Sequence, residues 1–211
     1  MDIVIERLNK IKSNINKNVN IIAVSKTYPL ENIQPLIDNG HQHFGENKVQ
    51  EAISKWGSTK LKNNNLQLHM IGKLQSNKSK SAVKLFDYIH SLDNQKLADK
   101  LSLAEKEINK KLKYFIQINL GNEQQKSGIN VSELDQFFTY CSKELNMNVI
   151  GLMSIPPNDN NTEKYFKYIS ELNYSLGLKQ LSMGMSADYT IALKYKTTFL
   201  RIGSSIFGKR F

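Results

Sequence analysis

The chain has 211 residues, 40% of them hydrophobic, enough for one domain with a sizeable core. It has no 18-residue apolar run to span a membrane, its one cysteine (Cys141) excludes disulfides and cysteine zinc sites, and Met1 to Arg7 lacks the layout of a secretion signal, so a reducing cytoplasm is expected. A net charge of +10, from 29 Lys and Arg against 19 Asp and Glu, could serve nucleic acid, but these lysines are scattered among Asn and Ile rather than striped, and no nucleic-acid partner is expected.

In chain order, Ile5, Leu8, Ile11 and Ile15 predict an amphipathic helix over 2–16. Ile21-Ile22-Ala23-Val24 reads as a buried strand running to Lys26. A helix through Ile33, Leu36 and Ile37 ends at Gly40, with Pro35 either kinking it or delaying its start. His41 to Gly45 forms a short second strand, and a helix through Val49, Ile53 and Trp56 follows. Strand three is Gln67 to Gly72, with a short helix near Ala82 and Leu85, and strand four is Tyr88 to Ser91. Asp93 is the expected cap of a helix carrying Leu97, Leu101, Ala104 and Ile108 on one face.

Strand five, Tyr114 to Leu120, leads into a polar loop holding Lys126-Ser127-Gly128. Asn130 and Glu133 pair as caps of a helix burying Leu134, Phe137, Cys141 and Leu145. Strand six, Val149 to Ser154, stops at Pro156-Pro157, and a helix from Thr162 places Tyr165, Ile169, Leu172 and Leu176 inward before Gly177. Strand seven is Gln180 to Met183, a helix spans about 187–195, and strand eight is Thr198 to Gly203. Eight alternating strand–helix units point to a closed parallel β/α barrel. A doubly wound open sheet is the alternative, although its Gly-x-Gly-x-x-Gly fingerprint after strand one is missing.

A barrel of this kind works at the C-terminal ends of its strands. Lys26, Asn47, Gly72, Met153-Ser154, Gly184, Ser186, Arg201 and Gly203 all fall there, with Arg201 and Gly203 on one side of their strand and Leu200 and Ile202 on the other. Desolvation lowers a lysine's pKa and makes it a Schiff-base nucleophile; the competing reading is a strand-end lysine whose head snorkels to water. Gly184, Ser186, Gly203, Ser204 and Ser205 offer the small residues of a phosphate pocket. A reactive lysine, a phosphate cradle and an arginine between them describe a pyridoxal phosphate site. His69 reads as a packed core histidine, His41 and His43 have no metal-binding companions, Cys141 reads as core, Ser154 and Ser186 lack triad partners, and Lys209 and Arg210 read as solvated.

The motifs Ala23-Val24-Ser25-Lys26-Thr27, Phe44-Gly45-Glu46-Asn47-Lys48-Val49-Gln50-Glu51 and His69-Met70-Ile71-Gly72-Lys73-Leu74-Gln75-Ser76-Asn77-Lys78 occur in that order. Lys126-Ser127-Gly128-Ile129, Gly151-Leu152-Met153-Ser154-Ile155, Leu181-Ser182-Met183-Gly184-Met185-Ser186 and the stretch Arg201 to Arg210 follow. From about residue 20 onward the chain resembles the pyridoxal phosphate homeostasis protein family, the YggS/PROSC-like proteins. The resemblance implies a single (β/α)8 TIM barrel like the N-terminal domain of alanine racemase, of fold type III and without a second β-domain. It implies pyridoxal 5'-phosphate held covalently on Lys26, with Asn47, Met183, Ser186, Arg201, Gly203 and Ser204 or Ser205 in the cofactor pocket. By analogy with the racemase barrel, Arg201 faces the pyridine nitrogen or contacts the phosphate. Two departures stand out: Tyr28 occupies a position where many relatives have lysine, and Lys194-Tyr195-Lys196 replaces a stretch that usually contains glycine.

The implied role is to keep free pyridoxal phosphate available but harmless, as a cytoplasmic monomer that buffers the cofactor or delivers it to apo-enzymes. Racemisation needs a base on each face of the cofactor, and the racemase takes its second base from a β-domain that this chain is expected to lack. An arginine beside the pyridine nitrogen also weakens the ring as an electron sink. The alternative is a small racemase or lyase using His69 or a barrel tyrosine as second base.

Overall fold

The computed structural model describes residues 2–121 and 127–208; Lys126, Lys209 and Arg210 lie outside them. The chain alternates α1 (Ile3–Lys12), β1 (Asn20–Val24), α2 (Leu30–Asp38), β2 (His43–Glu46), α3 (Val49–Lys62), β3 (Gln67–Met70), α4 (Ser79–Leu85) and β4 (Tyr88–Leu92). It continues with α5 (Gln95–Ile108), β5 (Lys113–Ile118), α6 (Leu134–Thr139), β6 (Val149–Ser154), α7 (Thr162–Ser175), β7 (Gln180–Met185), α8 (Tyr189–Lys194), β8 (Phe199–Ile202) and α9 (Ser204–Phe207). The strands pair in parallel in sequence order, and β8 closes on β1 with Ile22 beside Arg201. The closed barrel, rather than the open sheet, is therefore the architecture.

Alternation along each strand divides the core in two. One set of strand side chains, including Ile21, Ala23, Phe44, Leu68, Ile116, Leu152, Leu200 and Ile202, packs with the helices in one large apolar layer. The opposite set fills the barrel, where Ile22, Tyr88, Phe115, Met153 and Phe199 cluster. Three histidine rings pack among them: His69 stacks on Tyr88 at 4.2 Å, His90 stacks on Phe115 at 4.3 Å, and His43 meets Phe199 edge-on at 6.0 Å.

The local differences from the sequence reading have physical causes. Helix α2 starts at Leu30 with Pro35 inside it, so it does not start late. Asn94, not Asp93, caps α5, its side chain accepting from Leu97 N at 2.9 Å. The buried positions of α7 are Phe166, Ile169 and Asn173, so the inward face starts at Phe166 and Tyr165 is turned aside. Asn130 and Glu133 do form the reciprocal capping box. Both family departures have local explanations. Tyr28 stacks on Phe207 at 4.7 Å and donates to Gly208 O at 3.2 Å, tying the segment after β1 to the C-terminal helix. Lys196 takes the left-handed φ of 59° that a glycine would adopt more cheaply.

Candidate functional site

At the C-terminal mouth of the barrel, Lys26, Asn47, Ser186, Arg201, Gly203 and Ser204 line one cavity of about 310 Å³. Val24, Ile71, Ile155, Met185 and Ala187 complete its wall. That volume falls at the lower end of the roughly 300–1,000 Å³ typical of small-molecule sites. A larger groove of about 510 Å³ lies on the outer helices, among Lys80, Lys96, Lys100 and Glu107. It gathers surface lysines and an exposed ion pair, Lys80 with Glu107.

Lys26 lies two residues past the end of β1, on the inward side, and its neighbours are held from the outward side. Ser25 and Glu46 are fully buried there. Glu46 Oε1 accepts from Ser25 Oγ at 2.7 Å, Lys55 Nζ at 2.9 Å and Trp56 Nε1 at 3.0 Å. Lys55 Nζ also donates to Ser25 O at 2.8 Å, and Thr27 N donates to Glu51 Oε1 at 2.6 Å. The lysine's backbone is thus gripped on both sides. Thr27 takes a φ of 67°, costly for a β-branched residue, and backbone strain of that kind persists only where the surroundings over-determine it. The hydrogen bond to Thr27 and the cation of Lys55 hold the Glu51 carboxyl below its ordinary pKa, although partial desolvation, the largest single influence, acts in the opposite direction.

Arg201 is the deep end of the cavity, only 4% exposed. Its Nη1 donates to Ser182 O at 2.8 Å and Ser182 Oγ at 2.7 Å, and its Nη2 donates to Ser154 O at 2.8 Å. Burial lowers its pKa to about 10, against the opposing pull of Asp188, so the guanidinium is charged at neutral pH. Gly72 serves by closeness: a Cβ there would stand 2.4 Å from Asn47 O, so glycine lets β3 pass the residue that lines the cavity.

Two residues of the predicted set stand apart. The Met183 side chain is buried in the layer between sheet and helices, and its carbonyl accepts from Thr197 Oγ1 at 2.9 Å. Gly184, at φ 91°, interrupts the alternation where the β7–β8 register shifts, so Met185 rather than Met183 reaches the mouth. Ser205 is not part of the cavity wall; its backbone N donates to Ser186 Oγ at 3.2 Å and so braces a residue that is. Gly203 does line the wall, but a Cβ there would meet Val24 Cβ at 3.5 Å, an ordinary contact, so its smallness is not forced by crowding.

The sequence reading gave no site role to Glu46, Lys55, Trp56, Ser182 or His90. A glutamate closing a buried strand was visible, as was the Glu51–Lys55 spacing of four on a helix. No periodicity signals a histidine that must hydrogen-bond to another strand. Among the described residues, no cluster of three His, Cys, Asp or Glu side chains is placed to hold a metal, and no helix is long and apolar enough to cross a membrane.

The sequence profile described as "Alanine racemase, N-terminal domain" matches residues 1–210. A pyridoxal phosphate homeostasis protein of Aquifex aeolicus is 36% identical, over 98% of this chain and 95% of that protein. The homonymous protein of Escherichia coli is 36% identical over 92% and 87%. The structure of PipY from Synechococcus elongatus, solved with pyridoxal phosphate bound, superposes with a TM-score of 0.90 at 34% identity, covering 97% of this chain and all of that one. An alanine racemase from Clostridium difficile superposes at 0.79 with 16% identity, and this chain spans 57% of it, a likeness of fold alone.

Proposed function

The chain belongs to the alanine racemase N-terminal domain family and, within it, to the pyridoxal phosphate homeostasis proteins, and from that premise we propose that it binds pyridoxal 5'-phosphate on Lys26 and buffers or delivers it in the cytoplasm, with little or no catalysis. The observation that carries the reading is the single cavity that brings Lys26, Arg201 and the small residues Ser186, Gly203 and Ser204 together. An amine, a fixed guanidinium and a wall of hydroxyls and amides match the aldehyde, ring and phosphate of this cofactor. When bound, the cofactor supplies an aldehyde that attaches to an amine and a ring that withdraws electrons. Lys26 provides the attachment point. Ser186, Gly203 and Ser204 would hold the phosphate, and Asn47 the opposite side.

Arg201 would sit beside the ring nitrogen as a permanent cation. A positive charge there disfavours a second one on the ring, so carbanion chemistry is damped. The competing reading, a racemase or lyase, needs a second base facing the cofactor. His69 is wholly buried below the mouth, and neither histidine nor tyrosine occurs among the described residues that line the cavity. That favours a carrier acting alone or handing its cofactor to apo-enzymes. We place it as a monomer, since the reading requires no residue from a second copy.

The test is the visible absorption spectrum of the protein with pyridoxal phosphate, before and after borohydride, for wild type and Lys26→Ala. The expected result is a yellow band that borohydride fixes onto the Lys26 peptide and that the variant lacks. A band that survives the loss of Lys26 overturns the assignment. Turnover of added D- or L-amino acids above trace rates overturns the carrier reading.

A further inference from the structure

We propose that Ser182, His90, His69 and His43 form one hydrogen-bonded chain through the barrel interior whose task is to position the Arg201 guanidinium. The chain is continuous. Arg201 Nη1 lies 2.7 Å from Ser182 Oγ, and Ser182 Oγ lies 2.9 Å from His90 Nδ1. His90 Nε2 lies 2.9 Å from His69 Nδ1, and His69 Nε2 lies 2.9 Å from His43 Nδ1. It begins on β8 and crosses the barrel through β7, β4, β3 and β2. His69 and His90 are fully buried, while His43, at the far end, is half-buried.

The direction of the chain follows from its first member. A guanidinium only donates, so Ser182 Oγ accepts from Arg201, and its own proton is satisfied at its one other side-chain partner among the described residues, His90 Nδ1. That proton goes to His90 Nδ1, which leaves His90 Nε2–H as the donor to His69 Nδ1. His69 Nε2–H then donates to His43 Nδ1. All three rings are neutral and carry their proton on Nε2. Protonating His69 would point an Nδ1–H at the Nε2–H of His90, two donors face to face. Burial works the same way, holding His69 and His90 well below the ordinary histidine range.

Three histidines packed only to fill space would not need this order, because aromatic residues would fill the barrel without polar atoms to satisfy. What the chain accomplishes is at its Arg201 end. With Ser182 Oγ oriented by His90, the guanidinium has fixed acceptors on two sides, Ser182 and Ser154 O, and cannot rotate away from the cavity. The consequence for ligand binding rests on the reading that Arg201 contacts the pyridoxal phosphate ring. The order of the chain itself does not.

Two experiments separate these. Nitrogen-15 spectra of the imidazoles in cofactor-free protein are simple, because the chain has four histidines. The expected result near pH 7 is a protonated Nε2 and a bare Nδ1 on His43, His69 and His90; an Nδ1–H on His69 or His90 overturns the proposal. The second is pyridoxal phosphate affinity in His90→Leu and His90→Asn. Leucine leaves the Ser182 hydroxyl without its acceptor, whereas the asparagine Oδ1 can replace Nδ1. Leu is expected to weaken binding tenfold or more, with the cofactor still fixed on Lys26 by borohydride, and Asn to recover most of that loss. Equal behaviour of the two variants overturns the positioning role. Should His90→Leu fail to fold, Ser182→Ala replaces it, and cofactor affinity equal to wild type overturns the positioning role. Failure of wild type to take up the cofactor would refute the functional reading and leave the spectroscopic result standing.

Discussion

Lowering the pH from 7 to 5 should destabilise this fold steeply. Loss of solvent is the first cause in every case: it lowers His41 to about 3 and His43 to about 4, and holds His69 and His90 well below their ordinary value. Nearby cations add to it, Lys12 at His41, Lys113 at His43 and Arg201 at His90, while Asp87 opposes it at His43. In the unfolded chain each ring titrates near 6.5. Between the folded and unfolded values the unfolded state binds more protons, so stability is full above about pH 6.5 and declines as the pH falls. At pH 5 that is about 1.5 units at 1.36 kcal/mol per unit, or about 2 kcal/mol per histidine and about 8 kcal/mol for four. Net stabilities of domains run from about 5 to 15 kcal/mol, so the loss is comparable to the whole. Glu51, Glu107 and Glu163, whose carboxyls are lowered, contribute stability that disappears only below about pH 4.3, outside this window. Urea unfolding followed through Trp56, the single and fully buried tryptophan, measures the effect. Its pH slope between 5 and 6 should correspond to between three and four protons taken up, about 4–5 kcal/mol per pH unit. An uptake below two protons would refute the claim that these rings stay neutral in the fold.

Gly184→Ala should cost about 2–4 kcal/mol, a left-handed penalty plus overpacking, because its Cβ would lie 2.7 Å from Ala192 Cβ and 2.8 Å from a Leu200 methyl. Thermal melts check the loss, and an unchanged melting temperature would contradict the placing of Met185 by this turn. Glu46→Gln should cost about 1–3 kcal/mol, because Lys55 loses its buried carboxylate partner at 2.9 Å but keeps the Glu51 carboxylate at 3.4 Å and Ser25 O at 2.8 Å. The double variant Glu46→Gln with Lys55→Met should regain part of that stability, measured by urea unfolding, but not the rigid setting of Lys26, seen as slower uptake of pyridoxal phosphate.

The barrel was legible in the sequence because short apolar strand runs alternate with helical patterns eight times over, and the ends of those strands announced Lys26, Asn47, Ser186, Arg201 and Gly203. What stayed hidden was decided by a local backbone turn, by which of two adjacent side chains reaches a cap, and by partners on other strands. Met183 and Met185 have the same parity, and only the left-handed backbone at Gly184 decides which of them reaches the mouth. Asn94 displaced Asp93 as the cap because its side chain, not that of Asp93, reaches Leu97 N. His69 was readable as a core histidine, but its partners lie 26 residues before it and 21 after it, on separate strands. Hydrogen bonds between side chains on different strands leave no period in the sequence.

The two basic side chains of the mouth, Lys26 and Arg201, are secured from opposite faces of one sheet. Lys26 points inward while its neighbours Ser25 and Thr27 are gripped from the helix side by Glu46, Lys55 and Glu51. Arg201 also points inward, but its anchor lies inside the barrel, through Ser182 to the histidines. Apart from Arg201 itself, neither network draws on the side chains that line the cavity, so the mouth keeps its hydroxyls and amides for a ligand. Fixing both side chains before binding reduces the ordering cost on association, which suits a protein whose task is to hold a reactive cofactor. It does not by itself supply the second base that turnover requires. The same geometry therefore argues for tight binding.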